Sequence, residues 1–165
     1  MKKTGFQLII IFILIILFSC KQGNKNPEKV NLKISDHYVT IADTLINDMF
    51  IKNENNDEWT EYSLRKLDKP TLVNQIFDLV YAGKLIPHEF FSDSILTIDN
   101  IRDLEKEEEF SRDKIAKVQF EESWYFDPVQ LKMVKKVHSI MFAYEVYNNL
   151  GEIKGYKPAF KVYFK

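Results

Sequence analysis

The feature that most constrains this chain is a strict period of two in its last third. Ala116, Val118, Phe120, Trp124 and Phe126 place apolar side chains at even positions, with Glu122 the exception. Ile140, Phe142, Tyr144 and Val146 repeat the pattern, and so do Tyr156, Phe160, Val162 and Phe164. Alternation carried by aromatic and β-branched residues predicts half-buried strands. On the alternating face Trp124 is expected in the core. Asn148 to Glu152 supplies Asn and Gly for a tight turn between the last two strands. Between the first two, Asp127 to Leu131 breaks the strand, with Pro128 placed to open a helical turn.

Ahead of the strands the period is helical. Leu72, Val73, Ile76, Phe77, Leu79 and Val80 predict a helix over 71–82, started by Pro70 and stopped by Gly83. A second helix is predicted over 99–108, capped by Thr97 or Asp99, with the charge run Glu105 to Glu109 as a solvated face. Val39, Ala42, Leu45, Ile46 and Met49 are spaced as one face of a further helix. Residues 52–58 read as a polar loop, without the residue order of a calcium-binding loop. The expected fold is a single small α+β domain, N-terminal helices followed by an antiparallel β-meander.

The amino terminus is of another kind. Lys2 and Lys3 precede an eleven-residue apolar run, Leu8 to Phe18. As a helix it rises about 16 Å, short of the roughly 30 Å hydrocarbon core, so it reads as a secretory signal. Leu17-Phe18-Ser19-Cys20 resembles a bacterial lipobox, and Cys20 is the chain's only cysteine. The organisation expected is a lipoprotein signal peptide at 1–19, a lipidated Cys20 with a flexible linker at 20–31, and the α+β domain at 32–165. Several acyl chains on Cys20 make anchoring to a lipid bilayer effectively stable. Loss of Lys2 and Lys3 with the leader takes the net charge from −1 to −3. Lys21, in place of Asp, resembles the sorting pattern for the outer membrane. No acidic run follows it, which favours the inner leaflet facing the periplasm.

Chemistry is sparse. The charge argues against nucleic acid as a partner. Neither glycine-rich phosphate loop occurs, and one cysteine excludes an intrachain disulfide and multi-cysteine metal sites. His88-Glu89 begins like HExxH, but Ser92 stands where the second His belongs. His37, His88 and His138 lie far apart in sequence, and His138 interrupts an apolar strand. Glu121 and Glu122, adjacent on a strand, point to opposite faces and cannot flank one bond. A bulge, an edge or a buried partner would account for Glu122 on the apolar face. The residues point to a binding or scaffold role, with no catalytic residue, no metal, and no cofactor beyond the diacylglycerol and acyl lipid on Cys20. Residues 156–164 are a strand whose apolar side either pairs with a partner or lies in the core. Tyr156, Phe160, Tyr163 and Phe164 are the interface candidates.

Glu121-Glu122-Ser123-Trp124-Tyr125-Phe126-Asp127, Met133-Val134 and the stretch Gly155 to Phe164 resemble the GldN/PorN family. They are similar to its E-x-W-F-F-D, x-M-x-V and G-Y-x-P-x-F-x-x-Y-F motifs. Asn74 to Leu85 is similar to the family's helix ending in G-K. The likeness runs over about 59–164. It implies a non-enzymatic scaffold subunit of gliding motility and type IX secretion, a protein-transport machine. There the partner is a GldK/PorK lipoprotein in a ring under the outer membrane. The family member is ordinarily soluble and continues past the Y-F strand, so this chain would be a short lipidated form. The alternative is a stand-alone outer-membrane lipoprotein that binds another envelope partner.

Overall fold

The structure is a computed structural model that describes residues 37–54 and 56–165. The signal peptide, Cys20 and the 20–31 linker lie outside the described residues. In chain order the elements are β1 (Val39–Phe50), α1 (Glu58–Leu64), α2 (Lys69–Tyr81), β2 (Pro87–His88) and α3 (Ile98–Leu104). A 3-10 turn (Arg112–Lys114), β3 (Ile115–Asp127), β4 (Lys132–Tyr147) and β5 (Ile153–Tyr163) follow. The strands form one antiparallel sheet in the order β1-β3-β4-β5-β2. The architecture is α+β, and the β3-β4-β5 meander matches the alternation in the sequence.

The first expected helix is instead a strand. Residues 39–50 pair with β3 from Val39↔Phe126 to Phe50↔Lys117. Register shifts between Thr40 and Ala42 and between Ala42 and Leu45 insert extra residues into this strand. Such bulges turn a period of two into spacings of three, which imitate a helical face. The supposed face is also uncovered, with Val39 54% and Ile46 56% exposed.

Helix α2 forms as its sequence predicts, with Asp68 as the cap accepting from Thr71 N at 3.0 Å. Gly83, at φ +67°, ends it where a side chain would be strained. Helix α3 starts at a capping box between Thr97 and Asn100 and stops at Leu104, short of 108. Continuing it would stack Glu105 on Glu108 and Glu109, like charges one turn apart. Glu105 instead turns inward and accepts from Arg112 Nε at 2.7 Å and from the Tyr81 hydroxyl.

The core lies between α2 and one face of the sheet. Phe77, fully buried, sits 5.0 Å from Phe160 and 6.5 Å from Phe142 between ring centroids, and Arg112 covers it at 4.2 Å. On β3 the core cluster reaches Ile115, Val118 and Phe120 and goes no further. Trp124 is therefore not a core residue: it is half-buried, its indole N–H donates to Glu122 Oε1 at 2.9 Å, and Lys135 Nζ lies 4.1 Å over its ring. Glu122 is buried by that bond and by Lys135 Nζ at 3.5 Å, next to a register shift after Glu121. The β3–β4 connection is a tight turn. Asp127 Oδ1 accepts from both Val129 N and Gln130 N at 2.9 Å, and Leu131 takes φ +53°.

Candidate functional site

Strand β5 settles neither as a simple edge nor as a central strand. β4 pairs along it from Ile153 to Tyr163, while β2 meets only Lys161 and Val162 on the other side. Among the described residues the outer edge of 153–160 is unpaired. Pro158, which has no N–H to leave exposed, stands in that stretch. The four interface candidates separate by depth. Phe160 is 1% exposed and belongs to the core, because α2 covers this strand face; it is not available to a partner. Tyr156 is half-buried: it stacks edge-on against Phe50 at 5.4 Å, and its hydroxyl donates to Glu54 Oε2. Tyr163 is half-buried and Phe164 is 36% exposed.

Tyr163 and Phe164 are brought together with residues from the end of α2. A groove of about 390 Å³ opens between the Gly83–Ile86 loop, His88 and the last three residues. Gly83 turns the chain so that the amides of Lys84 and Leu85 both donate to Leu79 O. This leaves Ile86 53% exposed on the groove wall. On the other wall Phe164 N donates to His138 O at 2.7 Å, carrying the pairing with β4 one residue beyond β5.

Asp93 joins two of the residues that line the groove, Tyr163 and His88. Its Oδ1 accepts from the Tyr163 hydroxyl at 2.7 Å and meets Lys161 Nζ at 3.1 Å. These two partners hold the Asp93 carboxyl below its ordinary pKa. Burial disfavours the Lys161 ammonium, but Tyr163 and Asp93 outweigh it and raise its pKa. His88 Nδ1 lies 2.9 Å from Asp93 O. A carbonyl only accepts, so that nitrogen carries the proton. The imidazole stands edge-on to Tyr163 at 5.1 Å. The Tyr163 hydroxyl and His88 Nδ1 are spent on Asp93, Ile86 and Phe164 offer apolar surface, and Lys84 and Lys165 add charge to the lining.

Two other polar groupings were not legible in the sequence. Residues 50–54 carry the chain across the sheet from β3 to β5, and Lys52 Nζ donates to both oxygens of Glu145, at 2.7 Å to Oε1. Glu145 is fully buried and also accepts from the Tyr147 hydroxyl. Burial lowers the Lys52 pKa and Glu145 more than restores it, for a net rise. This pair ties down the chain crossing. Ser123 Oγ lies 2.7 Å from His138 Nε2, the contact of a nucleophile and its base. However, the Ser123 hydroxyl donates to Asp43 O, so His138 donates to Ser123 and is no base for it. Ser123 is moreover 2% exposed. His37 is exposed two residues ahead of β1, and the three histidines do not form a metal-binding group. Among the described residues no group of three or more His, Cys, Asp or Glu is placed to hold a metal ion, and no helix is long and apolar enough to cross a membrane.

No protein-family model matches the chain, and no curated protein matches it.

Proposed function

We propose that the chain is a non-enzymatic envelope lipoprotein, held through acyl lipid on Cys20 at the inner leaflet of the outer membrane. It works there as a scaffold or interaction subunit of the kind the GldN/PorN resemblance implies. The observation that carries this reading is the groove between the Gly83–Ile86 loop and Tyr163–Lys165. It exposes Ile86 and Phe164 while the Tyr163 hydroxyl and His88 Nδ1 are bonded to Asp93, a surface suited to taking an apolar side chain from another protein. The partner is an envelope protein, a GldK/PorK-like lipoprotein first among them.

A photo-crosslinking residue at Phe164, with the same residue at Leu150 as control, tests the reading in intact envelopes. The expected result is an adduct at 164 only, with a GldK/PorK-like lipoprotein identified by mass. An adduct with a different envelope protein supports the stand-alone lipoprotein instead. No adduct at 164, or equal adducts at both positions, overturns a partner role for the groove.

A further inference from the structure

The sheet carries an arm that the helices do not cover. β5 stops at Tyr163, opposite Ser139, while β4 extends seven residues further, to Lys132. At the rise of a strand this is an overhang of about 23 Å. Its tip is apolar and outward: Val129 is 74% and Leu131 78% exposed, and Met133 54%. The Asp127 bonds and the left-handed Leu131 hold Val129 and Leu131 on a tight turn, and Met133 follows at the start of β4.

Among the described residues, the exposed charge on the tip has one sign. From Pro128 to His138 there are three lysines, Lys132, Lys135 and Lys136, and no acid. Asp127, the nearest carboxylate, is fully buried. Lys135 meets Glu122, but Lys132 and Lys136 have no acidic partner among the described residues. The neighbouring strand adds no negative charge at this end. β1 begins there with Val39 opposite Phe126, and its first acid is Asp43.

That register also shows where the described chain enters the sheet, with Val39 beside the tip. Val39 lies nineteen residues after Cys20, a length that spans at most about 65 Å. The chain leading from the lipidated cysteine therefore joins the fold beside the hairpin tip. The Asn148–Glu152 turn, with the equally exposed Leu150, is at the opposite end of the sheet.

We propose that the β3–β4 hairpin tip is a second membrane contact. Val129, Leu131 and Met133 enter the interface of the bilayer that holds the Cys20 lipid, and Lys132 and Lys136 meet anionic headgroups. An apolar tip with basic flanks is the chemistry of interfacial binding, in which buried apolar area and attraction to anionic lipid add. The inference rests on the lipid anchor of the function proposed above.

The lipidated full chain, reconstituted in phosphatidylethanolamine–phosphatidylglycerol vesicles, tests it. Cys20 is the only native thiol, so Leu131→Cys and Leu150→Cys each add one labelling site for an environment-sensitive dye. The expected result is a blue shift and quenching by bromolipid at 131 and neither at 150. In the Leu131→Cys background, Lys132→Gln with Lys136→Gln should lower the ratio of inserted to free tip roughly 30-fold, about fivefold per charge. Lipid on Cys20 by mass, with a dye at 131 that stays in water or is shielded only by a protein, overturns the hairpin proposal alone. A Cys20 without lipid overturns the hairpin proposal and the anchor together.

Discussion

Phe160 and Phe164 lie four residues apart on one stretch of alternating aromatic sequence, and replacing each by Ala should have opposite consequences. Phe160 is 1% exposed, with its ring 5.0 Å edge-on to Phe77 and 6.1 Å edge-on to Phe142. Truncating such a ring costs about 3–5 kcal/mol through lost transfer energy and the cavity left behind. The two edge-to-face pairs, each about 0.5–1.5 kcal/mol, place it in the upper half of that range. A fold of about 130 residues has an unfolding entropy near 0.27 kcal/mol per degree, so a loss of about 4 kcal/mol lowers Tm by about 15 °C. Phe164 is 36% exposed and lies outside the core cluster. Its truncation should cost no more than about 1 kcal/mol and shift Tm by less than about 4 °C. Thermal and urea unfolding of both variants, followed by near-ultraviolet circular dichroism, measure this. The crosslinking yield at Ile86 measures the groove. Phe164→Ala should abolish the adduct in a folded protein. A Phe160→Ala variant that melts within about 3 °C of the parent would refute the placement of that ring. Equal destabilisation by both would show that Phe164 is structural and not a groove wall.

Lys52→Met leaves the fully buried Glu145 without its cation. It should cost about 2–3 kcal/mol by urea midpoint, less than a fully buried pair because the Lys52 side chain is 36% exposed; a loss under about 0.5 kcal/mol counts against the pair. Tyr81 is pushed up to about 12 by burial and Glu105, and Tyr156, Tyr147 and Tyr163 are also raised. A raised pKa means that the folded chain keeps a proton the unfolded chain loses, so this stability is complete below about pH 10 and falls as pH rises toward 12 and beyond. A folded protein whose entire tyrosinate absorbance, from all eight tyrosines, has developed by about pH 11 would contradict it. Asp127→Ala removes the acceptor for two turn amides and should cost about 1–2 kcal/mol. Hydrogen exchange should rise at Lys132–Val134 and not in β5; unchanged protection near the turn would refute the carboxylate's role.

What was legible in the sequence was whatever had an unbroken period. The α2 face repeats without interruption, and all four of its fully covered residues, Val73, Ile76, Phe77 and Val80, stood on that face. β3, β4 and β5 kept enough alternation to be placed, although each ladder contains a register shift. β1 has two shifts within six residues, and there the period changed its apparent meaning. A local pattern records which residues share a face and is silent about bulges, which are fixed by the partner strand.

It is equally silent about what covers a face, and this decided the candidate site. Phe120 and Trp124 share the same alternation on β3, yet Phe120 packs against the core and Trp124 sits beyond it beside Lys135. The difference is the reach of α2, a helix of 13 residues, across strands of 13 and 16. Tyr163 could be chosen from its place in the sequence, but its partner Asp93 is 70 residues away and reaches it through the two-residue strand β2 and the turn after it. Lys52 and Glu145 are 93 residues apart and carry no local sign of pairing. The same argument explains why the hairpin tip looked like an ordinary strand break. Nothing in Asp127 to Leu131 announces that β4 outruns both β5 and the helices. Only that difference in length turns three scattered aliphatic residues and two lysines into a surface with a direction.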